Sequence, residues 1–146
     1  MSGLDYQYGR KNVAGLDRAL IVLPQIKSAA ELTRRSVISQ LTEAEGLVAA
    51  IGLDVIVAEV VTIIRPQPST LFGSGKCEEL GRVIKAEKIV VAVLDTELTP
   101  VQQRNLERAW QCKVIDRTGL ILEIFASRAQ TKEGRLQVEL AQLIYQ

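Results

Sequence analysis

The amino-acid sequence predicts an α/β fold: an open, mainly parallel four-stranded sheet with helices on both faces, followed by the start of a long C-terminal helix. Two observations carry this prediction. Short apolar runs rich in β-branched residues recur along the chain, and segments with helical periodicity separate them. The runs are continuous rather than alternating, which is typical of parallel strands covered by helices on both faces.

The first half of the chain predicts two strands and one helix. Residues 19–23 (ALIVL) form the first apolar run, which we expect to end at Pro24. A Ser-x-x-Glu capping box at 28–31 predicts the start of a helix, and Gly52 predicts its end. A dense β-branched segment at 55–64 predicts the second strand.

The second half of the chain predicts two more strands, with a helix before, between and after them. The elements are, in order, a helix with the apolar stripe Cys77, Leu80 and Ile84, a strand at 89–94, a helix from Thr99-Pro100-Val101-Gln102 to Trp110, a strand at 113–115, and helical sequence from about Gly119. Ligands of open α/β sheets bind beyond the carboxyl ends of the strands. The segments to consider for a site are therefore 73–76, 95–98 and 116–118.

Length and composition limit the classes of protein. The 146 residues fit a loose arm at 1–17, one α/β domain at 18–130, and the first part of a coiled-coil-like helical subdomain at 131–146. Basic and acidic residues number 18 and 17, so no polybasic surface is predicted. Without histidine, His-based nucleophiles and most zinc sites are excluded, and no metal site is predicted. The chain lacks a long apolar segment and a signal peptide, so we expect a cytoplasmic protein with free thiols.

The run Gly73-Ser74-Gly75-Lys76 before a predicted helix resembles a phosphate-binding loop. A Walker loop also needs an earlier glycine, where this chain has Thr70, and a magnesium-binding hydroxyl, where it has Cys77. The loop therefore fails as a Walker site. Its backbone N–H groups and Lys76 are candidates to bind a phosphate, either of a nucleotide or of RNA. Alternatively, the glycines only form the turn and Ser74 only caps the helix.

Other polar residues follow the third and fourth strands. Asp95, Glu97 and Asp116 are compatible with metal binding or acid–base chemistry, but aspartates at strand ends more often cap the next turn or helix. Arg117 is either an exposed contact or a partner of Asp116. No catalytic residue is predicted.

Two features mark the end of the chain. Arg128, Lys132 and Arg135 cluster near a helix junction, where they are candidates for RNA contacts or simply form a solvated face. The stripe Leu136, Leu140, Leu143 and Ile144 runs up to the last residue, and an amphipathic helix needs a surface or a partner helix to cover it. We therefore expect a fragment of a longer protein, with a possible homodimer through this helix.

Three segments resemble the N-terminal region of HflX-type GTP-binding proteins. They are "RPQPSTLFGSGKCEEL", "LDTELTPVQQRNLE" and, most specifically, "KVIDRTGLILEIFASRAQTKEGRLQVELAQLIY". The resemblance covers about residue 21 to the end. It implies a cytoplasmic translation-factor GTPase that binds GTP, magnesium and the large ribosomal subunit. It also implies that the GTP site lies in a domain absent from this chain.

The function predicted from sequence is thus a ribosome-docking and regulatory domain that does not itself hydrolyse GTP. Two alternatives remain open. One is a stand-alone nucleotide-binding enzyme that uses the Gly73–Lys76 loop with Asp95. The other is an adaptor that associates with itself.

Overall fold

The structure, a computed structural model, describes residues 16–26 and 34–129. Four strands alternate with helices in this part of the chain: β1 (Arg18–Ile26), α1 (Arg34–Ala50), β2 (Asp54–Ile63), α2 (Ser74–Ala86), β3 (Val91–Leu94), α3 (Pro100–Trp110), β4 (Lys113–Ile115) and α4 (117–129). All neighbouring strands are parallel, in the order β2-β1-β3-β4. The predicted fold class is confirmed.

The central strands β1 and β3 explain the continuous apolar runs. Successive side chains of a strand point to opposite faces, and both faces of this sheet are covered. Leu20 and Val22 join the core beneath α2 and α3, whereas Ala19 and Ile21 join the core beneath α1 and α4. Every one of these four side chains is fully buried.

The predicted end of β1 at Pro24 is wrong. Proline lacks an N–H group and normally excludes itself from a central strand. Here β3 pairs with β1 only as far as Val22, opposite Leu94, while β2 continues beside β1 to Ile26. Pro24 therefore lies where β1 has a neighbour on one side only, and the strand tolerates it.

The ends of the helices agree with the sequence prediction at some positions and differ at others. Thr99 caps α3: its hydroxyl accepts the Gln102 N–H at 3.1 Å, and the Gln102 carboxamide accepts the Thr99 N–H at 2.9 Å. Gly52, at φ 85°, follows the end of α1 as predicted. Ile89 lies outside β3 because its N–H still donates to Ile84 at the end of α2. The predicted capping box at 28–31 lies outside the described residues.

Candidate functional site

The connection from β2 to α2 carries the glycine run, and its geometry does not depend on those glycines. Gly73 is the N-cap of α2 with φ −64° and ψ 161°, which any residue can adopt. A Cβ atom added at Gly73 or Gly75 would meet no atom within 4 Å. The left-handed residue of this connection is Leu71, at φ 69°. The backbone of this connection therefore does not require glycine at either position, and Gly75 lies within α2.

Ser74 does not cap α2. It is the first residue of the helix, and the N-cap Gly73 has no side chain to offer. The connection is held in place from α3 instead: the Gln102 carboxamide donates to the Gln67 carbonyl and the Asn105 carboxamide to the Ser69 carbonyl, each at 2.9 Å. Two hydrogen bonds from α3 therefore hold the connection that leads into α2, and residues 73–75 at the start of the helix are exposed.

Lys76 is bound by two carboxylates. Its Nζ lies 3.1 Å from Glu79 Oε2, one turn along α2, and 3.2 Å from Glu59 Oε2 on β2. Burial lowers the pKa of Lys76, but the hydrogen bonds and charges of the two glutamates outweigh it and raise the pKa above its usual value. Two carboxylates thus already bind the cation that the sequence made a candidate for phosphate binding.

Glu59 is the residue that sequence reasoning missed here. It is the lone charge inside the β-branched run of β2, and that interruption was the available signal. Its Oε2 atom is buried, and the Lys76 ammonium at 3.2 Å is its charge partner.

Cys77 occupies the position where a Walker loop has its magnesium-binding hydroxyl. Its side chain is 8% exposed and belongs to the core under α2, with Leu80 and Ile84. Burial raises the pKa of the Cys77 thiol. A buried neutral thiol and a lysine held by carboxylates do not fit a bound nucleotide with magnesium.

The residues after β3 and β4 do meet, at the carboxyl edge of the sheet. Asp116 Oδ1 accepts the Gly119 N–H at 2.8 Å, so Asp116 caps α4. Its Oδ2 accepts the Leu98 N–H at 3.2 Å, which ties the loop after β3 to the start of α4. The capping interpretation of Asp116 agrees with these two bonds.

Arg117 is half-exposed and pairs with Asp95; Asp116, which the sequence offered as one alternative, is not its partner. Its Nε lies 3.1 Å from Asp95 Oδ1, and its terminal nitrogen donates to the Asp95 carbonyl at 2.8 Å. Both residues line a cleft of about 300 Å³ between α1 and α4. Glu97 is exposed on the same loop. Among the described residues no acidic, cysteine or histidine side chains gather into a group able to hold a metal ion.

The predicted contact residues do not form one site. The glycine loop and Lys76 belong to α2, which packs on one face of the sheet, whereas Arg117 and Arg128 belong to α4, which packs on the other. Arg117 and Arg128 also lie about 16 Å apart along their helix, at about 1.5 Å per residue. Arg128 is exposed, and Lys132 and Arg135 lie outside the described residues.

Comparison with known proteins supports the family resemblance that the three quoted segments indicated. The profile of the family described as "GTP-binding GTPase N-terminal" matches residues 38–126. The chain therefore belongs to the N-terminal domain family of GTP-binding GTPases. Among its curated relatives, a GTPase HflX of Magnetococcus marinus is 50% identical over 80% of this chain, and one of Escherichia coli is 50% identical over 70%.

Each of these HflX matches covers only the N-terminal fraction of the relative, so the predicted HflX type is confirmed for an N-terminal domain. The chain spans about a quarter of the length of these two relatives, 27% and 24%.

Solved structures give the same fold. Crystal structures of two SsGBP mutation variants superpose with TM-scores of 0.55 and 0.58, at 25% and 24% identity, and cover 87% and 88% of this chain. The chain covers 38% and 39% of those structures. Separately, none of the helices in the described ranges is long and apolar enough to cross a membrane.

Proposed function

We propose that this chain is the ribosome-docking and regulatory N-terminal domain of a cytoplasmic HflX-type GTPase. In this proposal the full protein binds the large ribosomal subunit, and residues outside this chain bind and hydrolyse GTP with magnesium. The chain itself contributes contacts to ribosomal RNA and carries no catalytic residue.

The placement of GTP outside this chain is supported by the start of α2. The thiol of Cys77 is buried in the core where a magnesium-binding hydroxyl would be needed, and Lys76 is neutralised by Glu59 and Glu79. The alternative of a stand-alone nucleotide-binding enzyme requires both groups to be released from these contacts. The matched family is described as the N-terminal part of GTP-binding GTPases, and the relatives named GTPase HflX are about four times as long as this chain; both favour a GTP site outside it.

The RNA contact is supported by the exposure of Arg128 together with its place at the start of a basic cluster. Lys76 and Arg117 each have a carboxylate partner, whereas Arg128 is exposed and has no ion pair within 16–26 and 34–129. A free arginine binds phosphate without first losing a carboxylate. Lys132 and Arg135 follow it in the sequence, so Arg128 begins the basic cluster at the end of α4.

The test is sedimentation of the longer protein with large ribosomal subunits across a range of salt concentrations. Arg128→Ala should weaken binding and reduce the slope of log affinity against log salt by about 0.7–1, the loss of one phosphate contact. Arg104→Ala, which removes another exposed arginine, on α3 and outside the basic cluster, is the matched control and should leave both the affinity and the slope unchanged. Equal behaviour of the two variants would refute the RNA contact of Arg128.

A second experiment separates the docking domain from the enzyme alternative. This chain is titrated with GTP and ATP, with and without Mg²⁺, while the amide signals of Gly73 and Gly75 are followed. Absence of shifts at millimolar nucleotide is the expected result. Saturable shifts confined to this loop, together with turnover, would favour the enzyme.

A further inference from the structure

A groove of about 670 Å³ lies between the second half of α2 and the end of α3. Gly81 and Ile84 line it from α2, and Ala109 and Trp110 line it from α3. The two helices lie close together here, because a Cβ atom added at Gly81 would lie 3.3 Å from Trp110 Cδ1. The wall is apolar, since Ile84 and Trp110 belong to the core and Ala109 carries only a methyl group. Such a groove fits the apolar face of another helix.

Three cations without a carboxylate partner line the same α2–α3 groove. Arg82, Lys85 and Lys88 are exposed, and none of them forms an ion pair within residues 16–26 and 34–129. The basic residues of these ranges that do form ion pairs are Arg18, Lys76, Lys113 and Arg117. Glu78 is the carboxylate that lines the groove, so three positive charges stand against one negative charge. The groove therefore attracts acidic groups.

The stability of α2 accounts for only part of this charge. Lys85 lies in the last turn of the helix, where a cation interacts favourably with the helix dipole. Arg82 lies before that turn, where the effect has faded. Lys88 follows the helix at φ 54°, a left-handed position that glycine adopts with less strain. Arg82 and Lys88 therefore add charge to the groove without an evident benefit to the helix.

The shape of the groove favours a protein segment over a nucleic acid. RNA phosphates would pair with the cations but gain little from an apolar wall. Bases stack on exposed aromatic faces, whereas Trp110 is 5% exposed and its Nε1 donates to the Cys77 carbonyl at 2.9 Å. An acidic amphipathic helix uses both the apolar wall and the cations.

We propose that the α2–α3 groove binds an acidic amphipathic helix of a partner protein. Apolar side chains at i, i+3 or i+4, and i+7 of that helix pack on the apolar wall, and carboxylates beside them pair with the three cations. Between Cys77 and Lys85, which both line the groove, α2 extends about 12 Å, the length of about two helical turns.

This proposal is independent of the RNA contact proposed for Arg128. The residues of α2 and α3 that line the groove pack on one face of the sheet, whereas α4 packs on the other. Loss of one contact therefore leaves the other intact.

The test titrates the whole chain with two synthetic peptides while following the fluorescence of Trp110, the only tryptophan. One peptide is an amphipathic helix with leucines at helical spacing and glutamates at the other positions, and its twin has lysine in place of each glutamate. The glutamate peptide should bind more tightly by about tenfold or more, because the groove attracts its carboxylates and repels the lysines.

Variants assign the binding to the groove. The triple variant Arg82→Gln, Lys85→Gln, Lys88→Gln should weaken binding of the glutamate peptide by about tenfold, since each exposed ion pair contributes up to about fivefold. Arg104→Gln, which removes an exposed arginine of α3 that does not line the groove, is the matched control and should leave the affinity unchanged.

A second pair of variants tests the apolar wall. Ala109→Glu places a side chain and a negative charge in the groove and should abolish binding, whereas Ala126→Glu makes the same change at an exposed position of α4 and should not. The urea midpoint of each variant shows whether it is folded, and the glutamine variants keep the test decisive if Ala109→Glu is not.

Two results would overturn the proposal. One is equal affinity for the two peptides, or an affinity for the glutamate peptide that the groove variants leave unchanged. The other is binding of a single-stranded oligouridylate that the glutamine variants weaken while the glutamate peptide does not bind, which would assign the groove to RNA.

Discussion

Replacing Asp116 by alanine tests whether this carboxylate stabilises the fold. The Asp116 side chain makes two hydrogen bonds to backbone N–H groups: one to Gly119 at 2.8 Å in the first turn of α4 and one to Leu98 at 3.2 Å. Alanine removes both acceptors. Asparagine keeps one oxygen, so it preserves one of the bonds.

The expected cost is the sum of two ordinary effects. Loss of a helix N-cap costs about 0.5–2 kcal/mol. Loss of the acceptor for the partly buried Leu98 N–H costs about 0.5–1.5 kcal/mol more. We therefore expect Asp116→Ala to lower the free energy of unfolding by about 1–3.5 kcal/mol, and Asp116→Asn by about half of that.

The assay is urea denaturation followed by the fluorescence of Trp110, the only tryptophan in the sequence, which is 5% exposed. Glu97→Ala removes an exposed carboxylate from the same loop and should change stability by less than about 0.5 kcal/mol. If Asp116→Ala also stays within that range, the two hydrogen bonds do not stabilise the loop and the capping interpretation fails.

Three further predictions concern glycine, lysine and cysteine. Gly119→Ala should destabilise the protein by about 1–3 kcal/mol, because the added Cβ atom would lie 2.6 Å from an Ile115 methyl group. Gly75→Ala should be neutral or stabilising, because the added Cβ atom would meet no atom within 4 Å. Equal urea midpoints of the two variants would refute this prediction. Lys76→Met should lower the stability at neutral pH, because Glu59 loses its cation. The fold raises the pKa of Lys76 above 10.5, so the stabilisation by the lysine should be complete below pH 10.5 and should disappear as the pH rises through the raised pKa. A stability difference between wild type and variant that grows above pH 10.5 would contradict this prediction. Burial raises the pKa of Cys112 to about 12, so a thiol reagent at pH 8 should not modify it until the protein is unfolded; rapid native-state labelling would contradict this.

Local chemistry made most of the fold predictable. The Thr99–Gln102 capping box needs only residues three apart, and the stripe Cys77, Leu80 and Ile84 needs only the helical period. Boundaries were harder where they depend on a neighbouring strand. Pro24 continues β1 because β3 has already ended beside it, which no local pattern encodes.

The candidate site was less predictable, because the ion-pair partner of a cation can lie far away in the sequence. Lys76 forms an ion pair with Glu59 on β2. Arg117 forms one with Asp95, which follows β3 and lies 22 positions earlier in the sequence. The sequence offered the neighbouring Asp116 as one alternative partner of Arg117, but that carboxylate accepts hydrogen bonds from two backbone N–H groups.

The sequence by itself determined the α/β class, the alternation of strands and helices, and the HflX-type family, because hydrophobic period, capping and residue order are properties of short segments. Only the tertiary structure decided which charges are neutralised and which remain free. Parallel strands bring the ends of distant segments to one edge of the sheet, and electrostatic energy depends on the distances formed there rather than on separation along the chain. For that reason Lys76 and Arg117 are bound within the fold, while Arg128 has no ion-pair partner among the described residues.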